Sequence, residues 1–214
     1  MKSFWKLILG FCCVLFLAAA AHAQMGRAPQ FGGVWNPVVG AGAAYSIQAK
    51  GETSEMEMAV VGKETVDGKD GYWLEITIQS PHEKGTMVMK SLYVLDGAQT
   101  RVLRVVMQIP GEPPMEMPAS MMGRMGTPST QAADIRTQSQ DLGGESVTTP
   151  AGTFACEHYR SKDGSWEVWV AKNLPPYGLV KSKSSDSAMT LVRVITNAKD
   201  KITGTPQSMP DMPH

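Results

Sequence analysis

Alternation with a period of two, broken by turn pairs, constrains this chain more than any other feature. Met56, Met58 and Val60 fall on one face of an extended run, with Glu55, Glu57 and Lys63 on the other. Asp67-Gly68-Lys69-Asp70-Gly71 follows, dense in residues that tolerate positive φ, and then Tyr72, Leu74, Ile76 and Ile78 alternate against Glu75, Thr77 and Gln79. That is a strand–turn–strand signature. Residues 44–49 suit a further strand before it. After a Pro-bounded break at 81–85, residues 87–95 are mostly apolar on both faces and end at Asp96-Gly97. Residues 101–109 then place Leu103, Val105, Met107 and Ile109 on one side and Val102, Arg104, Val106 and Gln108 on the other. The pattern predicts an antiparallel meander with one buried face.

The second half repeats the style without repeating the sequence. Thr149-Pro150-Ala151-Gly152 reads as a type I turn, with Pro at its second position. Phe154, Cys156 and His158 share a predicted strand face with Ala155, Glu157 and Tyr159 behind. Asp163-Gly164 marks a two-residue hairpin leading into Trp166-Glu167-Val168-Trp169-Val170. Strands are predicted again over 179–184, 189–196 and, shorter, 201–205. Between the halves, residues 110–140 differ in character: Pro-punctuated and carrying Met115, Met117, Met121, Met122 and Met125. A connection of about 30 residues without structure is unusual in a compact domain. Pro118 is placed to start a short helix running to 125, and Thr127 to cap another with Pro128 at its first position.

The address comes from residues 1–23. Lys2 and Lys6 precede an uncharged apolar run over 7–21, and Ala21-His22-Ala23 offers the small-x-small cleavage pattern. The run is shorter than the roughly 20 residues of a membrane span. Phe11 before Cys12 does not make a lipobox. The reading is a cleaved signal peptide, leaving Gln24 as the N-terminus of a periplasmic or secreted protein. The resulting layout is a flexible lead-in at 24–42, one β domain at 43–205 with a helical insert at 111–140, and a disordered tail at 206–214. Without the signal, 18 basic and 20 acidic residues remain. So near-neutral a chain has no electrostatic reason to bind nucleic acid. Only Cys156 remains of the cysteines, so no intramolecular bridge can form.

The residues Glu145-Ser146-Val147-Thr148-Thr149-Pro150-Ala151-Gly152-Thr153-Phe154, then Cys156 and His158-Tyr159, Trp166-Glu167-Val168-Trp169-Val170, and Pro175-Pro176-Tyr177-Gly178-Leu179-Val180-Lys181, carry a resemblance. With this strand order around a methionine-rich insert, the chain resembles the LolA/LolB-like superfamily of periplasmic lipoprotein carriers, in an uncharacterised branch rather than the carriers themselves. The resemblance implies a mainly β (β-rich α+β) fold, a strongly curved antiparallel sheet or half-open β-barrel closed by one or two short helices over a hydrophobic cavity. An arginine gates the lid in the carriers; Arg101, Arg104 and Arg124 are candidates here by location.

Methionine is the over-represented residue with functional potential, at 15 copies. Met56/Met58, Met87/Met89 and Met115/Met117 are Met-x-Met pairs, and Met209, Met212 and His214 close the chain. Thioethers suit Cu(I), and equally they line adaptable apolar surfaces. Enzyme readings are poorer. His82, His158 and His214 show no metal-ligand spacing, and no Ser sits in a nucleophile elbow. Cys156 and His158, two apart on one strand, would stand about 7 Å from each other, too far for a nucleophile–base bond. Glu112, Glu116 and Glu145 read as solvated loop charges. Of Trp166 and Trp169, which face oppositely, one is expected toward solvent or under the helices.

The sequence therefore predicts a non-catalytic carrier or sensor for a hydrophobic ligand, whether a lipid, an acyl chain or a lipidated partner, with transient contact to membrane or envelope proteins. Met115, Met117, Met121, Met122 and Met125 are expected to line or cover the pocket and Leu103, Val105 and Met107 to floor it, with no cofactor and no metal. A copper-binding protein using the methionines and an envelope assembly factor using exposed strand edges are the alternatives.

Overall fold

A computed structural model describes residues 33–79, 85–118, 130–132 and 134–208 of the chain. The alternating runs form β1 (Ala41–Ala49), β2 (Glu52–Val66), β3 (Lys69–Gln79), β4 (Met87–Asp96) and β5 (Gln99–Gln108). Short strands β6 (Met115–Met117) and β7 (Thr130–Ala132) come next. The second half supplies β8 (Ser139–Thr149), β9 (Gly152–Ser161), β10 (Trp166–Ala171), β11 (Leu179–Ser184), β12 (Ser187–Thr196) and β13 (Gln207–Ser208). All belong to one sheet in the order β13-β6-β5-β4-β3-β2-β1-β12-β11-β10-β9-β8, with β7 paired to β5 off that path. The expected mainly β architecture, one large open curved sheet, is what the chain adopts. Hairpins generate each half, and the antiparallel β1–β12 ladder joins the two. Asp67-Gly68 turns as predicted, both residues at positive φ, and Lys50-Gly51 makes an equivalent turn between β1 and β2.

The curvature follows from one contact set. From β3 to β10 is five steps along the sheet, about 24 Å if it were flat. Yet the Trp35 ring lies 6.5 Å from Tyr72 on β3, 5.5 Å from Tyr93 on β4 and 5.0 Å from Tyr177 beyond β10. The sheet must fold round on itself, and one-residue register slips at Val61, Leu103, Leu142, Val180 and Val192 help it bend. The inner face holds Tyr45, Met56, Met58, Val60, Leu74, Val168, Leu179, Met189 and Leu191, all at most 2% exposed.

Several expectations give way here. Of the segment read as a flexible lead-in, residues 33–42 are tied down. Val34 N–H donates to Tyr177 O at 2.8 Å, Asn36 N–H to Pro176 O at 2.7 Å, and Ile135 N–H to Gly33 O at 3.0 Å. Gly33 is required, since a Cβ there would meet Tyr177 O at 2.0 Å. Within the predicted helical insert, Met115–Met117 instead adds a strand to β5, because Met-x-Met alternation puts both thioethers on one face, Met117 buried and Met115 half-buried, while the backbone completes a ladder. The one helical turn among the described residues is 3-10, Ile135–Gln138, capped by the Asp134 carboxylate. Beyond Pro118 itself, the expected helices from Pro118 and Thr127 lie outside the described residues, as do residues 1–23, read as a signal peptide, and 209–214.

Residues 201–205 are not a strand. They belong to a strap that leaves β12 with Ala198 N–H donating to Gly40 O at 2.8 Å. The strap crosses the outer face of β2 through β5 and ends in β13, parallel to β6, where 206–208 had been expected as disordered tail. It covers Glu75 and Thr77, 3% and 4% exposed, on the face that alternation alone assigns to solvent.

Candidate functional site

Residues directly opposite on neighbouring strands share a face. Ala43, Met58, Ile76, Met89, Met107 and Met115 are such partners in succession from β1 to β6. Tyr45, Met56, Ile78 and Met87 form the adjoining row, and Val60, Leu74, Ser91, Val105 and Met117 the row on the other side. All three Met-x-Met pairs thus lie on the inner face in aligned rows. Their burial differs along the sheet. Met56 and Met58 are 1% exposed, whereas Met87, Met89, Met107 and Met115 on β4–β6 are only half-buried.

The predicted ligand-binding residues are brought together in part. Val105 and Met117 are buried with Val102 in a second apolar cluster, on which Met89, Tyr93 and Met107 pack. Met115 stands opposite Met107. Leu103 does not join them: it is the extra residue of the β5 bulge, which slips the register so that Val102 takes its place beside Val105. Met121, Met122 and Met125 lie outside the described residues. Reasoning from sequence left out Ile76, Ile78, Met87, Met89 and Val102. The first four were legible in the alternation and the Met-x-Met pairs; Val102 was not, because a bulge leaves no composition signal. Arg104, a candidate gate, bonds Glu116 through Nε at 2.7 Å and a second nitrogen at 2.9 Å on the outer face, over the Trp73 ring. Arg101 is exposed on β5, and Arg124 lies outside the described residues.

On the outer face the strap is pinned by charge. Lys201 N–H donates to Glu75 at 2.9 Å, its ammonium bonds Glu57, Asp200 pairs with Lys90, and Thr203 N–H donates to the Gln108 side chain at 3.3 Å. Burial pushes the Glu75 carboxyl up to about 7, against the opposing bond from Lys201. Glu57 is held below the usual carboxylate range by its bond from Lys201, then Arg193.

A second polar group centres on His158. Its Nδ1 lies 3.1 Å from Glu145 and its Nε2 3.1 Å from Glu167, and the ring stacks on Trp169 at 4.2 Å. The Trp169 indole donates to Glu145, and Lys181 sits 4.9 Å over the same indole ring. Glu145 is therefore a strand carboxylate with two partners and not the loop charge expected. Trp169 is buried and Trp166 half-buried against the core, so neither projects into solvent. Cys156 is buried, its thiol pushed up to about 11 by burial and then by Glu145, and it donates to Phe154 O. Both His158 nitrogens face carboxylates, leaving none for Cys156.

Two hollows flank these sites. A shallow, polar one of about 600 Å³ lies between the β1–β2 and β11–β12 hairpins, walled by Gln48, Lys181, Lys183, Ser184 and Asp186. A tighter one of about 260 Å³ lies at the rim, between Trp35, Arg136, Glu157, Val170 and Leu174. The first is larger, but its lining suits water better than an acyl chain.

No family model matches the chain, and no curated protein matches it. Solved structures similar to it include a candidate exported protein with a YmcC-like fold from Bacteroides fragilis NCTC 9343, at 13% identity and TM-score 0.38, covering 76% of this chain and 99% of that one. Another is a candidate lipoprotein from Parabacteroides distasonis ATCC 8503, at 16% identity and TM-score 0.39, covering 77% and 100%. Neither is described as a LolA- or LolB-type carrier, and likeness at this level carries no function across.

Proposed function

We propose that this protein is an exported, non-catalytic carrier or sensor that holds a hydrophobic ligand against the inner face of β3–β6. The observation that carries the reading is the group of half-buried apolar side chains there: Ile76, Ile78, Met87, Met89, Met107 and Met115, in rows continuous with a sealed core. Flexible, polarizable methionines adapt to acyl chains of differing shape. The leader-like residues 1–23 support the exported address.

Native mass spectrometry of protein purified from the envelope tests this, together with displacement of an apolar fluorescent dye by fatty acid. The expected result is a co-purifying lipid and dye binding that Met89→Glu weakens about tenfold or more, a loss of at least roughly 1.4 kcal/mol. Wild-type protein that carries no lipid and binds no dye would sink the carrier reading.

A second reading, an envelope assembly factor, is favoured by β8. This edge strand is exposed over most of its 11 residues and contains no Lys, Arg or Pro to blunt pairing. Cross-linking from a cysteine placed at Gln140 tests it; capture of one envelope protein at stoichiometric yield supports the reading, and none removes it.

A further inference from the structure

We propose that Met89, Met107, Met115 and Met117 form a thioether site for one Cu(I) ion on the inner face of β4–β6. Register is the ground for it. Met89, Met107 and Met115 are direct partners on three successive strands, and Met117 follows Met115 on the same face. Opposed pairs stand about 5 Å apart at Cβ. The sheet is concave on this side, so side-chain ends converge more than their backbones do. Three rotatable bonds let each thioether turn its sulfur toward a shared point.

Packing and exposure agree. Met89 and Met107 both pack on the cluster that contains Met117, so three of the four side chains already share one apolar group. Met89, Met107 and Met115 are half-buried, which leaves an approach for the ion, whereas Met56, Met58 and Met189 are sealed at 1% exposure or less.

The donor set selects the metal. Thioethers are soft and neutral, and such ligands select Cu(I) over harder divalent ions. Among the described residues no group of three or more His, Cys, Asp or Glu is placed to hold a metal ion. The nearest carboxylate on these strands, Glu116, lies on the opposite face in its pair with Arg104. Binding to neutral sulfur displaces no proton, so affinity is flat with pH. A thiolate or imidazole site must lose a proton first and weakens in acid.

The site shares a surface with the proposed carrier function but does not rest on it, because Met→Leu substitution keeps the apolar surface and removes only the sulfur. The experiment is anaerobic titration of the full chain with Cu(I) against bicinchoninate at pH values of roughly 5.5 and 7.5. The expected result is one equivalent taken from the chelator with equal affinity at both pH values. In Met89→Leu/Met107→Leu/Met115→Leu that affinity falls about 10–100-fold or more, at least the loss typical of disturbing even a ligand's supporting shell. Met189→Leu leaves it unchanged. Wild type that takes no copper, affinity that falls in acid, or a triple variant that binds as wild type overturns the site. Dye binding by the wild-type protein judges the carrier reading separately. If the triple variant loses its near-ultraviolet circular dichroism, methyl-labelled methionine spectra of wild type with Ag(I) decide instead: shifts confined to these four methyls support the site, and shifts elsewhere or none remove it.

Discussion

The inner face of the sheet carries methionine in two settings, and the contrast separates structure from site. On β2 and β12, Met56, Met58 and Met189 are enclosed by an opposing wall: β9–β11, Tyr177 and the Trp35 segment close over them. On β4–β6, Met87, Met89, Met107 and Met115 are only half-covered, and the apolar cluster that includes Met89 and Met107 draws, among the described residues, on those three strands. Residue type, strand alternation and face are the same. Curvature makes the difference, because the sheet folds the β9–β11 side over the strands at its middle and leaves the side chains of β4–β6 half-covered. A thioether in the first setting fills space; in the second it is available to a ligand.

The largest expected effect breaks that contrast directly. Met58→Ala should cost about 2–5 kcal/mol in urea denaturation, since it leaves a cavity that a fully packed wall cannot refill. Met89→Ala should cost well under half of that, because its neighbours can relax and water already reaches them. Equal losses would mean that the two settings are one core. Next in size is Trp35→Ala, expected to cost about 3 kcal/mol. Its ring touches Tyr72 and Tyr93 on one wall and Tyr177 on the other. Loss of near-ultraviolet signal without loss of strand content would show the walls parting. A cost below about 1 kcal/mol would show that something else holds them.

Much of this was legible from residues alone. Alternation at 56–60 and 72–78 foretold β2, β3 and their shared buried face, and Asp67-Gly68 foretold the turn between them. Period two also placed both members of each Met-x-Met pair on one side. It could not say which pairs would lie side by side, because rows depend on bulges such as those at Val61 and Leu103, each a single extra residue with ordinary composition. The failures were at the ends and on the outside. Residues 33–36 and 198–208 show no sustained period-two alternation and look like linkers, yet their backbones are held by partners far away in sequence. Glu75 reads as a solvent residue until the strap lies over it. The His158 group was hidden for a similar reason: Glu145 and Glu167 are 22 residues apart and meet only through the β8–β9–β10 ladders.

The strap offers a smaller, pH-dependent test of the contrast, because it braces the outer side of strands that are sealed within at β2 and half-covered at β4 and β5. Glu75 titrates near 7 in the fold instead of at its usual 4.5. With a folded pKa above the unfolded one, its contribution is fully present below about pH 4.5 and is lost as pH rises through 7. Stability should therefore fall on the order of 2 kcal/mol between roughly pH 5 and pH 8.5, shared with Asp200 and Lys201 on the strap and with Glu57, Thr77 and Lys90 facing it from the sheet. Glu75→Gln should flatten that slope. Denaturation midpoints of both proteins at the two pH values read it out, and an unchanged slope would remove Glu75 from the account.

The smallest effect is the most discriminating for the open arm. Arg104 and Glu116 bind in bidentate fashion across β5 and β6, but with side chains 44% and 31% exposed. Exposed pairs contribute about 0–1 kcal/mol, so Arg104→Ala should shift stability by no more than that. Arg104 also faces away from Met107 and Met115, with its guanidinium 5.2 Å over Trp73. Neither apolar-dye nor Cu(I) affinity should therefore change. A variant that stays folded yet loses either ligand would show that the two faces of β5 are coupled. Arg104 would then act at a distance as a gate, a part that its present contacts on the outer face do not give it.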